Sequence, residues 1–234
     1  MKLSEISRTL REIRVTPVKT LGQNFLHDQN LARWIVQQAE ISSGDFVVEI
    51  GAGLGAITEP ILASGAHVLA IEKDARLASF LGDRFSENSL EIVHGDALTF
   101  DVRRLFASGP VKLLGNLPYY SATEMLFRFL QSPTPIIMAL LMLQREVAAR
   151  LSAAPRSKDY GILTLLVQAQ YRVEFLRSIP ASVFVPAPEV ESAVVRLTPR
   201  APGELPDHDL GILSALVRHG FSQRRKQVGK LLKN

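Results

Sequence analysis

The 234-residue chain contains no cysteine, which excludes disulfides and thiolate-held metals. That absence fits a reducing compartment without requiring one. Long apolar runs are missing too. The longest, residues 135–143, falls well short of the roughly 20 residues a membrane-spanning helix needs. Residues 1–15 lack the apolar core of a secretory signal, and Glu5 and Glu12 argue against a transit peptide. Residues 210–234 carry no acid at all. The expectation is a soluble, cytoplasmic protein with no metal site and no membrane partner. Nothing in the sequence suggests an extended self-association surface, so a monomer is expected.

What is present is an ordinary globular composition, 47% hydrophobic and 21% charged, with enough chain for a substantial core. The net charge of +4 is unevenly spread. Residues 1–23 carry +3 and residues 210–234 carry +6, leaving −5 for the body between them. An acidic body with basic ends suits a polyanion gripped at its edges. Solvated basic termini are the plainer alternative.

From Asp45 onward, short β-rich runs (46–50, 67–71, 91–94, 111–115 and 136–143) alternate with helical stretches (58–64, 75–85 and 123–130). This repetition predicts a parallel sheet with helices on both faces. A helix over 31–40 leads into it through the turn Ser43-Gly44-Asp45. Helices are expected again over 144–153 and 161–169. Two further strands, 171–179 and 192–197, have no crossover helix between them and predict an antiparallel pair at one sheet edge. A Pro/Gly-rich linker follows Pro199, then a helix over 210–217 and the basic Arg224-Arg225-Lys226. The domains expected are therefore a catalytic unit, 1–200, and a small helical basic region, 201–234.

Glu49-Ile50-Gly51-Ala52-Gly53-Leu54-Gly55 closes the first long strand and opens a helix. Glycines there let the backbone turn tightly and approach a nucleotide-like ligand where a Cβ would intrude. Glu72, about 20 residues on, ends the next strand and can accept from both ribose hydroxyls. The motif does not choose the cofactor, since Gly51, Gly53 and Ala56 also satisfy the dinucleotide pattern. Asp96, in His94-Gly95-Asp96-Ala97-Leu98 after the third strand, can accept from an adenine amino group. Alone it would read as a turn aspartate capping a helix.

Asn116-Leu117-Pro118-Tyr119 follows the fourth strand on the same carboxyl edge. Its chemistry suits attack by an aromatic amine on a sulfonium methyl. The N6 lone pair of adenine is delocalised into its ring. The Asn116 side-chain oxygen and the Leu117 carbonyl can accept the two N–H bonds and favour a more tetrahedral nitrogen. Pro118 removes a backbone donor and stiffens the turn. Tyr119 offers a face on which an extruded base stacks, worth ~1–3 kcal/mol. No strong base is needed, because positioning does most of the work.

The chain resembles the KsgA-type small-subunit ribosomal RNA adenine dimethyltransferases. The resemblance rests on Leu21-Gly22-Gln23-Asn24-Phe25-Leu26, the glycine turn, Gly95-Asp96-Ala97 and Asn116-Leu117-Pro118-Tyr119. It also rests on Met142-Leu143-Gln144-Arg145-Glu146-Val147-Ala148, on the loop from Phe184 through Pro186, Pro188 and Glu191 to Ser192, and on Phe221-Ser222-Gln223-Arg224-Arg225-Lys226. It implies a Rossmann-like α/β methyltransferase fold in which the seven strand candidates form a mostly parallel sheet with an antiparallel edge strand. It also implies a small helical C-terminal lobe, of which this chain carries the first part.

The cofactor implied is S-adenosylmethionine. Asn24 and Leu26 would hold it at the entrance, Gly51 and Gly53 at its methionine end, Glu72 and Lys73 at the ribose, and Asp96 and Ala97 at the adenine. Asn116 would touch both cofactor and target. Tyr119, with Phe184 opposite, would sandwich the flipped adenine, and Arg224, Arg225 and Lys226 would grip RNA. The product implied is N6,N6-dimethyladenosine at two adjacent adenosines in the 3′-terminal hairpin of 16S ribosomal RNA, made on the assembling small subunit. Unlike many relatives, which have a smaller polar residue there, this chain has Tyr120 after the tetrapeptide. Phe184 by itself reads as a loop anchor in the core.

Three alternatives compete: a large-subunit RNA adenine methyltransferase, an assembly factor whose methylation is dispensable, and a nicotinamide-dependent oxidoreductase. The Phe184–Ser192 loop and the 221–226 segment favour the small-subunit type over the first. Basic ends support RNA binding whatever the catalysis. No residue set for hydride transfer is evident.

Overall fold

The sheet of this computed structural model, which describes residues 1–18, 22–85, 89–222 and 229, is built from seven strands, all but one of which have their carboxyl ends at one edge. Its members are β2 (Phe46–Ile50), β3 (His67–Glu72), β4 (Leu90–His94), β5 (Val111–Asn116), β6 (Ile136–Gln144), β7 (Tyr171–Ile179) and β9 (Ser192–Pro199), in the order β4-β3-β2-β5-β6-β9-β7. The first five are mutually parallel. Their runs of Val, Ile and Leu are nearly continuous because helices cover both faces. The expected antiparallel pair is present at one edge. The strand that runs against the rest, β9, is the inner of the two, pairing with β6 on one side and β7 on the other.

The helices are α1 (Leu3–Glu12), α2 (Gln29–Gln38), α3 (Thr58–Leu62), α4 (Ala75–Arg84), α5 (Ala122–Leu130), α6 (Arg145–Leu151), α7 (Ile162–Gln168) and α8 (Leu210–Ser222). One apolar cluster lies on the face covered by α5, with Phe129, Leu113 and Leu141 fully buried. A second lies on the α2 and α3 face around Ile35, Ile61 and Val68. The strand order reverses between β2 and β5, which leaves a crevice at their carboxyl ends.

Two elements were not anticipated. The first is α1, whose Ile6 and Leu10 join Val15, Phe25, Leu54 and Leu77 in a third small cluster. The second is a two-residue ladder between β1 (Phe25–Leu26) and β8 (Phe184–Val185), which pairs Phe25 with Val185 and Leu26 with Phe184. Beyond the linker, α8 rests on α7 and buries only Val217. Among the described residues, no helix is long and apolar enough to cross a membrane.

Candidate active site

The glycine turn leaves β2 with left-handed backbone at Gly51 (φ +73°) and Gly53 (φ +58°), a conformation that side chains resist. A Cβ at Gly53 would also press to 3.3 Å from the Phe25 ring. The turn is fixed from the next strand end. Glu72 accepts the Gly53 amide on Oε2 and the Asp74 amide on Oε1, each at 2.9 Å. Both oxygens keep a further lone pair, as a ribose diol requires. Burial pushes the Glu72 pKa up, against these hydrogen bonds. Asp74 caps α4 by accepting from Arg76 and Leu77.

At the end of β4, Asp96 accepts the Leu98 amide on Oδ1 (2.9 Å) and the Lys73 ammonium on Oδ2 (2.8 Å). The lysine, above all, holds its pKa below the usual carboxylate range. One cavity runs across the carboxyl ends of β2, β3, β4 and β5. Of the residues singled out from sequence it gathers Asn24, Gly51, Gly53, Glu72, Lys73, Asp96, Ala97, Asn116 and Pro118. It also takes in Phe25, Met125 and Tyr120.

The front wall of this cavity is the segment 22–25. A Cβ on Gly22 (φ +65°) would lie 2.7 Å from the Pro118 Cβ, so the segment is pressed onto the proline turn. The Gln23 side-chain Nε2 donates to Asp74 Oδ2 at 3.4 Å. Asn116 Nδ2 donates to the Asn24 carbonyl at 3.1 Å. That bond orients the Asn116 amide, because the nitrogen must face a carbonyl, and so leaves Oδ1 as the free acceptor.

Tyr119 does not line the cavity. It stands half-buried beyond Asn116, and its hydroxyl meets the Ser192 hydroxyl at 2.6 Å. Burial raises the phenol pKa, with the Ser192 bond opposing. Ser192 is fully buried at the start of β9. This bond ties the ring to the sheet through the neighbour of β6.

Other expected positions differ. Leu26 is 5% exposed and lies outside the main cavity, because it is paired with Phe184 in the β1–β8 ladder. It closes a smaller chamber beneath the glycine turn, next to Glu49. Leu117 is buried among apolar neighbours, and its amide donates to the Met142 carbonyl. Phe184 is 2% exposed within the α2-face cluster. In this conformation it is a core anchor without an open face for a base, which corrects the sandwich expected of it. Arg224, Arg225 and Lys226 lie outside the described residues.

Sequence reasoning gave Glu49 no role. It is buried beneath the turn, accepts the Thr58 hydroxyl at 2.6 Å, and is raised by burial to a pKa of about 7, with the neighbouring Glu72 charge adding to the rise. The available signal was a carboxylate within a run of apolar strand residues. Ser192 and Tyr120 were visible in their motifs, but not their contacts.

Comparison with known proteins places this geometry. The family described as ribosomal RNA adenine dimethylase matches residues 17–234. A protein of Prosthecochloris aestuarii named ribosomal RNA small subunit methyltransferase A is 45% identical over 92% of this chain and 81% of its own length. A solved dimethyladenosine transferase from Plasmodium falciparum superposes with a TM-score of 0.80 at 29% identity, over 90% of this chain and 75% of that one. The 23S rRNA methyltransferase ErmE superposes with a TM-score of 0.75 at 29% identity, over 89% and 83%.

Proposed function

The chain belongs to the ribosomal RNA adenine dimethylase family, and on that premise we propose that it dimethylates N6 of two adjacent adenosines in the 3′-terminal hairpin of 16S ribosomal RNA. It acts as a monomer in the cytoplasm on the assembling small subunit. Residues 1–200 form the catalytic unit, and residues 201–234, with Arg224, Arg225 and Lys226, belong to an RNA-gripping lobe.

The residues of the crevice fit S-adenosylmethionine. Gly51 and Gly53 admit its methionine end without a Cβ in the way, Glu72 accepts the ribose hydroxyls, and Asp96 accepts the adenine amino group beside Ala97. When bound, that cofactor supplies a sulfonium methyl whose leaving group departs neutral. Asn116 Oδ1 accepts one N6–H of the target, and the Leu117 carbonyl accepts the other. Held this way, the nitrogen lone pair would face the methyl that the cofactor would supply, and the proton given up by the nitrogen would pass to solvent, so no buried base is required. Tyr119 stacks on the extruded base, its ring held by Ser192.

The observation that carries this reading is the Asn116–Asn24 hydrogen bond, which commits the amide nitrogen to the protein and its oxygen to the site. The test is incubation with methyl-labelled cofactor and unmethylated small or large ribosomal subunits, followed by mapping of the modified base. Label in adenosines of the 16S 3′-terminal hairpin is expected. Label confined to large subunits, or none in either, overturns the proposal.

A further inference from the structure

The adenine end of the crevice contains a competitor for its own ligand. Asp96 is the carboxylate assigned to the adenine amino group, and its Oδ2 accepts Lys73 Nζ at 2.8 Å. Lys73 itself lines the cavity, adjoining Glu72 in sequence, so its ammonium lies along the mouth and not out in solvent away from it. The ammonium is a compact point charge with rotatable donors on a flexible stem, so it can leave Asp96 without rearranging either strand end.

We propose that Lys73 is an affinity-setting residue of the cofactor site: its ammonium occupies Asp96 Oδ2 in the empty enzyme and gives way when an adenine amino group takes its place. The inference rests on the cofactor reading above. Its consequence is that cofactor binding breaks an exposed ion pair, so the wild type binds adenine less tightly than the pocket's shape allows. A second consequence concerns discrimination. Asp96 rewards an amino group at the purine 6-position, whereas Lys73 can donate to a carbonyl oxygen there, so the lysine narrows the preference for adenine over hypoxanthine.

The experiment is calorimetric titration of the whole protein with S-adenosylhomocysteine and with S-inosylhomocysteine. The Lys73 side chain is half-exposed, so its substitution leaves the core untouched. Lys73→Met is expected to bind S-adenosylhomocysteine about two- to five-fold tighter, the range set by an exposed ion pair. It should bind S-inosylhomocysteine no better, or more weakly. Weaker S-adenosylhomocysteine binding by Lys73→Met, or an equal gain for both nucleosides, overturns the proposal. Failure of the wild type to bind S-adenosylhomocysteine at all would instead sink the cofactor reading beneath it.

Discussion

The two halves of the crevice are held in place by different kinds of bond. On the proposed cofactor side, Gly51, Gly53, Glu72 and Asp96 sit where strands end, locked by main-chain amides that donate to the two carboxylates and to the Ile71 carbonyl. On the base side, Asn116, Pro118 and Tyr119 depend on partners far away in the chain. Asn24 orients the asparagine, Gly22 presses on the proline, and Ser192 ties the tyrosine. The first half is a property of a strand–turn–helix unit. The second exists only once the whole sheet and the N-terminal wall have assembled. The side chains proposed to act on the target base are thus the ones most exposed to damage from distant substitutions.

Asn116→Ala should break the base half outright. Methyl transfer is expected to fall by about 10²–10³, the usual cost of removing one oriented polar group from a transition state. S-adenosylhomocysteine affinity should stay within a few-fold, so comparable losses in both would merge the two halves into one. Tyr119→Ala comes next, with ~10–100-fold loss of methylation from the ~1–3 kcal/mol of stacking removed. Titration of the cofactor should again change little. A smaller, shared effect is expected of Gly22→Ala, since its Cβ meets Pro118 and its φ is +65°. Thermal unfolding should show ~1–3 kcal/mol of lost stability, the typical cost of strained backbone, with both affinity and turnover reduced. If only turnover falls, the wall serves the base half alone.

The smallest expected effect concerns pH and the floor of the cofactor half. Burial raises Glu49 from an ordinary value of 4.5 to about 7. Below pH 4.5 both folded and unfolded forms are protonated, so the group contributes no difference there. Between 4.5 and 7 the unfolded form ionises first, so stability falls as pH rises through that window. Glu49→Gln should flatten this part of a stability-versus-pH curve measured by denaturant unfolding. A curve of unchanged slope would assign the window to Glu72, which burial also raises.

Much of the cofactor half was legible because each signal is contiguous. A glycine turn, an acid at the next strand end and an aspartate after the third need only a parallel sheet to converge. The base half was legible in its tetrapeptide and no further. Tyr119 and Ser192 are 73 residues apart, and no periodicity links them. Phe184 on a stiff proline loop can serve a base or a core equally well by sequence. Burial against the second cluster decides that for this conformation. The inner place of β9 depends on pairings with β6 and β7 that local alternation cannot encode. Helix α1 escaped notice because its apolar stripe is short, and its partners Phe25, Leu54 and Leu77 come later in the chain.

The short ladder that joins Phe25 to Val185 and Leu26 to Phe184 has a mechanical corollary. The front wall of the crevice and the rim of the proline-rich loop are stitched edge to edge by main-chain bonds. Neither edge can be displaced by much more than the slack of a hydrogen bond without carrying the other along.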